Sequence, residues 1–205
     1  RIRSCDTGFS LIEVLVTIGI FAMVSSIILA SYPRFSNRLL FTRTVQDVAQ
    51  SIRKAQTYSI GVREFQGFDH PFGVYFSISD IMSEPKQKYI FFADLNDPPN
   101  RLYDYGVPED VLVPERIDLL ELPSSIKIVQ LCAGKETSPP GNCNISMLHI
   151  TYKRPAPITY FYSNVGNNAE ITDSDVEIIF KDPYGSRKEI VVWKTGQISI
   201  KDILP

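Results

Sequence analysis

The sequence predicts an α+β protein in which one long N-terminal helix packs on a mostly antiparallel β domain. Three observations predict it. Residues 9–31 form an apolar run holding one charge, Glu13. From Val45 to Ser59, apolar and small residues recur at helical spacing. After residue 65 the period shifts to short runs rich in Ile, Val, Tyr and Phe, broken by turn formers, with no second long helical pattern.

The apolar run comes first. As a helix, Phe9 to Ser31 spans roughly 34 Å, enough for the hydrocarbon core of a bilayer. A buried core helix rarely runs this long without a polar face. A secretory signal would carry a shorter apolar region, about 7–15 residues, with its cut site after it. Arg1 and Arg3 precede the run, and Arg34, Arg38 and Arg43 follow it, so flanking charge alone does not orient the segment. Glu13 is its anomaly, because an acid deep in hydrocarbon costs about 2.5–3.5 kcal/mol on insertion scales. Such a group is usually paired and functional. It is tolerated without a partner only if it stays near the headgroups.

The helix then changes character. Pro33 removes one backbone donor. Val45, Val48, Ala49, Ile52, Ala55 and Ser59 define one face, while Arg43, Gln46, Asp47, Gln50, Arg53 and Lys54 populate the others. This pattern predicts an amphipathic helix lying on a sheet, with Gly61 as its stop. Strands are expected at 72–78, 88–94, 116–122, 125–131, 146–152, 158–163, 176–182, 187–194 and 197–201. Turn sequences such as DPYGS and KTGQ separate them, which favours antiparallel hairpins.

The stretch FFADLNDPPNRLYDYGVPEDV crowds oxygen ligands into one loop. Asp94, Asn96, Asp97 and Asp104 are calcium candidates by ligand type. The EF-hand spacing is absent, since Pro98 and Tyr105 occupy places where ligands would stand and no central glycine is present. A long polar hairpin loop is the expected reading.

A formal net charge of −2 supplies no global reason to expect nucleic acid as partner. Lys181, Arg187, Lys188, Lys194 and Lys201 cluster late, but Asp182, Glu189 and Asp202 interleave with them, so a DNA-binding stripe is weakly supported. Catalysis is not expected. His70 lies in a turn beside Pro71, and His149 is read as a surface or partly buried strand residue. Neither has a motif acid and nucleophile nearby, and no phosphate loop or metal-ligand pattern exists. No cofactor is expected. Asn144-Ile145-Ser146 matches a glycosylation acceptor in what reads as an exposed loop, and is taken as coincidence.

GFSLIEVLVTIGIFAMV, from Gly8, resembles the amino-terminal signature of type IV pilins and type II secretion pseudopilins. Shorter stretches, VAQSIRKAQTYSI and EIVVWKTGQISI, resemble the H-type minor pseudopilin and FimT-like minor pilin group. The resemblance implies a pilin-like fold with two small sheets against the long helix. It implies a leader over 1–8, a transmembrane and filament-core helix over 9–31, an amphipathic continuation over 32–62 and a β domain over 63–205. Gly8 would be the last leader residue, cut by prepilin peptidase, and Phe9 the N-methylated first residue. Glu13 would pair with a neighbouring subunit's new amino end, drawing it from membrane lipid into a filament. The implied partners are other pilin or pseudopilin subunits, prepilin peptidase and the inner-membrane assembly platform. The implied location is the cytoplasmic membrane, with the N-terminus cytoplasmic and the β domain outside, and then a pilus or periplasmic pseudopilus. A pilus-displayed module that binds DNA or a surface ligand is the alternative.

The chain has three cysteines. Loss of the implied leader removes Cys5 and leaves Cys132 and Cys143, which flank the turn-rich AGKETSPPGN. A disulfide is favoured on the extracytoplasmic face. Two cysteines without nearby Cys or His partners do not make a tetrahedral zinc set, and a reduced pair stays open.

Overall fold

A computed structural model describes residues 10–61, 64–65, 68–78, 88–96, 98–104, 115–153, 158–163 and 169–203. The helix α1 runs over Leu11–Ile60 with Pro33 inside it, and Gly61 follows as expected. The strands are β1 (Glu64–Phe65), β2 (Phe68–Asp69), β3 (Phe72–Ser77), β4 (Lys88–Ala93), β5 (Arg116–Glu121), β6 (Lys127–Ala133), β7 (Asn142–Ile145), β8 (Met147–Lys153), β9 (Ile158–Ser163), β10 (Ala169–Glu170), β11 (Asp175–Lys181), β12 (Arg187–Trp193) and β13 (Ile198–Ile203). The chain divides into two compact units, Arg1–Thr42 and Arg43–Pro205. The expected amphipathic segment, 32–62, is thus divided, and its part from Arg43 onward belongs with the β domain.

Within the second unit, two antiparallel sheets carry the fold, alongside a β1–β2 ribbon. The larger has the order β10-β9-β8-β3-β4-β5 and the smaller β13-β12-β11-β6-β7. Each sheet joins distant segments. Strand β3 pairs with β8 through Val74 opposite Ile150, and β11 pairs with β6 through Ile178 opposite Leu131. All nine expected strands are present. Missed were the short β1, β2 and β10, and also β7, which occupies sequence that reads as loop. Asn144 is therefore exposed on an edge strand and not in a loop.

Helical periodicity explains the packing of α1. Val45, Val48, Ala49, Ile52 and Ala55 are fully buried, as one apolar stripe requires. Polar side chains on the same helix then set its position on the sheets. The Phe72 N–H donates to Ser59 Oγ at 2.9 Å, and that hydroxyl lies 3.3 Å from Phe72 O as donor. Ser51 Oγ and Tyr89 OH are 3.1 Å apart, and Gln56 Nε2 donates to Gly196 O at 3.2 Å. Tyr58 packs edge-to-face with Phe72 and Phe91.

Strand alternation sends Phe72, Val74 and Phe76 of β3 to one face of the larger sheet and Tyr75 to the other. Tyr75, Ile90 and Phe92 form a second buried cluster there, covered by Tyr103, Leu119 and Met147. The loop after β4 supplies Tyr103, so it lies over the sheet and is not merely a solvated hairpin tip. The closing β12–β13 hairpin turns at Gly196, whose φ of 85° suits glycine.

Candidate assembly segment and loop sites

Helix α1 begins with a local device. Ser10 N–H donates to Glu13 Oε2 at 3.0 Å, and Glu13 N–H lies 3.3 Å from Ser10 Oγ. This reciprocal pairing is a capping box, written in the sequence as Ser10-Leu-Ile-Glu13, a signal that the expected intersubunit role of Glu13 does not include. It satisfies donors that a helix start leaves open and places an anion at the positive end of the helix dipole. Glu13 thus has an internal partner within its own chain. Gly8 and Phe9 lie outside the described residues.

The helix behind Glu13 is apolar and uncovered. Leu11, Phe21, Met23 and Leu29 are each at least 71% exposed. Soluble surfaces rarely present contiguous apolar area on this scale. The embedded hydroxyls are quenched along the helix itself: Thr17 Oγ1 donates to Val14 O, Ser26 Oγ to Ala22 O, and Ser31 Oγ to Ile27 O, at 2.9, 2.8 and 3.2 Å. Such a segment suits lipid, where backbone and side-chain polar groups must be paired internally. Among the described residues α1 is the one helix long and apolar enough to cross a membrane.

The acidic loop after β4 directs its carboxylates inward. Asp94 is fully buried and accepts the Arg101 N–H at 2.5 Å and the Asn96 N–H at 3.2 Å. Asp104 Oδ2 accepts Asn96 Nδ2 at 2.6 Å and Asn100 Nδ2 at 3.0 Å. Glu115 accepts the Asp104 and Leu95 N–H groups at 2.8 and 3.3 Å. The calcium candidates Asp94, Asn96 and Asp104 therefore meet amides, and Asp97 lies outside the described residues. No grouping of three or more His, Cys, Asp or Glu able to hold a metal occurs among the described residues. Burial raises the Asp94 carboxyl above its ordinary range. Burial, then the Asp104 and Asp94 charges, push Glu115 up to about 7.

His149 is not a surface residue. It is 3% exposed, and its Nδ1 accepts the Tyr103 N–H at 3.0 Å. Burial pushes its pKa down to about 3, so the ring is neutral and free to accept. Arg101 reinforces the loop by lying 3.9 Å over the Tyr160 ring and donating to Tyr162 OH at 3.1 Å.

Cys132 and Cys143 form a disulfide, joining β6 to β7 around the turn-rich segment. Three of the late basic residues are occupied. Lys188 pairs with Asp202, Lys201 with Glu136 at 2.6 Å, and Lys194 donates to Thr172 O at 2.9 Å. Interleaved acids thus consume part of the charge that a DNA-binding stripe would need.

A family model described as the prokaryotic N-terminal methylation motif matches residues 3–29. No curated protein and no solved structure matches the chain. The motif implies processing by prepilin peptidase and assembly with other pilin subunits, and with the apolar helix it suggests membrane anchoring before assembly. With this motif opening an apolar helix ahead of an antiparallel β domain, the chain is consistent with the type IV pilin and pseudopilin family.

Proposed function

We propose that this chain is a minor pilin or pseudopilin, a non-catalytic structural subunit of a type IV pilus or a type II secretion pseudopilus. The observation that carries the proposal is a methylation motif running directly into the exposed apolar first segment of α1, residues 11–31, whose single acid, Glu13, stands at its amino end. Prepilin peptidase cuts between Gly8 and Phe9 and methylates Phe9. The N-terminus begins on the cytoplasmic side of the inner membrane and the β domain outside it. Lipid covers the helix first, and neighbouring helices replace lipid on assembly, so one apolar surface serves storage and polymerisation. Glu13 exchanges its contact with Ser10 for the new amino terminus of a neighbouring subunit. The short H-type and FimT-like stretches support a minor position in the filament.

The test is co-expression with prepilin peptidase and a filament assembly system. Intact-mass measurement is expected to show wild type without residues 1–8 and carrying one added methyl group, and Gly8→Ala uncut. Glu13→Ala is expected to be cut yet to fail in crosslinking to other subunits. Normal processing of Gly8→Ala, or normal crosslinking of Glu13→Ala, would overturn the proposal.

A further inference from the structure

Strands β11, β12 and β13 place Asp175, Glu177, Glu189 and Lys201 on one face of the smaller sheet. Asp175 and Glu177 are alternate residues of β11, Glu189 pairs with Ile179, and Lys201 pairs with Glu189. The disulfide-closed segment between β6 and β7 meets the same group with Lys135, Glu136 and Thr137, while Asp173 stands beside Gly134. Four acids, Glu136, Asp175, Glu177 and Glu189, thus meet two lysines. Both lysines are committed, Lys135 to Glu189 at 2.5 Å and Lys201 to Glu136 at 2.6 Å.

Among the described residues Asp175 and Glu177 form no ion pair, although the Lys135 charge bears on Glu177 from its place beside Glu189, and both are fully buried. Asp175 is well supplied with donors: Thr137 Oγ1 at 2.5 Å on one oxygen and the Glu136 N–H at 3.0 Å on the other. Glu177 Oε1 shares that N–H at 3.2 Å. Glu177 Oε2 is buried with no donor. A charged carboxylate in that setting faces an adjacent carboxylate in low dielectric, where like charges repel most strongly. A proton on Glu177 eases the conflict, because it removes one of two charges that converge on the same Glu136 N–H and spares the unpartnered Oε2 a full buried charge.

We infer that Glu177 carries a proton shared with Asp175, and that this acid pair is a proton-dependent latch holding the disulfide-closed segment 134–141 against β11. The Glu136 N–H and the Thr137 hydroxyl grip the pair from the segment side; these donors favour charge on the pair, and the proton acts by removing the carboxylate–carboxylate repulsion that opposes their grip. Electrostatics agrees with the geometry. Burial, then the Asp175 hydrogen bond and charge, push Glu177 up to about 8. Burial pushes Asp175 the other way from its final position, and hydrogen bonds from Glu177, Thr137 and the Glu136 amide bring it below its ordinary value. An acid with a raised folded pKa stabilises the fold fully below its unfolded pKa. That contribution is lost as pH rises towards the folded pKa.

Glu177→Gln tests this, since an amide donates to Asp175 at every pH and cannot ionise. The full chain, disulfide intact, is unfolded by urea in detergent micelles, with the fluorescence of Trp193 as reporter. That sole tryptophan pairs with Asp175 across β11 and β12. The folding equilibrium constant of wild type relative to Glu177→Gln is expected to fall at least ~10-fold from pH 5 to pH 8. A constant ratio across that range overturns the shared proton. Exchange of the Glu136 amide, corrected for its intrinsic pH dependence, reports the latch itself. Protection is expected to drop from pH 7 to pH 9 in wild type and to hold in Glu177→Gln. Equal protection profiles in the two chains would overturn the latch even if the stability ratio changed.

Discussion

Ser59→Ala isolates the polar contact that positions α1 on the larger sheet. Ser59 is 2% exposed, and its Oγ is the acceptor for the Phe72 N–H at 2.9 Å. Alanine leaves that N–H buried without this acceptor, a loss of about 1–3 kcal/mol. Against it stands the better helix propensity of alanine, about 0.5 kcal/mol over serine. The balance is a net destabilisation of about 0.5–2.5 kcal/mol. Thr57→Ala is the matched control, because Thr57 is exposed and its hydroxyl donates only to Arg53 O within the same helix, at 2.9 Å. That substitution is expected to change stability by less than about 0.5 kcal/mol. Both values come from equilibrium urea unfolding of the full chain in micelles, followed by Trp193 fluorescence. Equal stabilities for the two variants would refute the assignment of Ser59 as the clasp between helix and sheet.

Three further outcomes follow from the same geometry. Cys132→Ser with Cys143→Ser opens a short loop and is expected to lower stability by about 2–3 kcal/mol in the same unfolding assay; an unchanged midpoint under non-reducing conditions would refute it. Glu115 is protonated in the folded state up to about pH 7 and its ordinary value is 4.5, so its contribution is complete below about 4.5 and is lost as pH rises towards 7. Glu115→Gln is therefore expected to flatten the stability profile over that interval, and an identical profile would count against the buried acid. His149→Ala removes the acceptor for the Tyr103 N–H. Tryptic cleavage after Arg101 is expected to quicken about 5-fold, the rate equivalent of about 1 kcal/mol of local stability, and an unchanged rate would show that His149 does not hold the loop.

Local signals were legible where the physics is local. The apolar span, the helical face from Val45 to Ser59 and the positions of nine strands depend on periodicity within a few residues. The Ser10–Glu13 capping box is equally local, and the same Glu13 that suits an intersubunit pair also closes it. Strand β7 was hidden because Asn142 and Asn144 have weak strand propensity, and pairing with β6 overrides it.

The sequence by itself determined that this chain carries a pilin-type methylation motif, then an apolar helix long enough to cross a bilayer, then a β domain. Those features rest on composition and short-range spacing. Tertiary structure alone decided that β3 lies between β8 and β4, and β11 between β6 and β12. Those registers buried His149 beneath Tyr103 and brought the disulfide segment over Asp175 and Glu177. Burial and pairing across such sequence distances depend on which faces of the sheets become covered, and no local pattern encodes that.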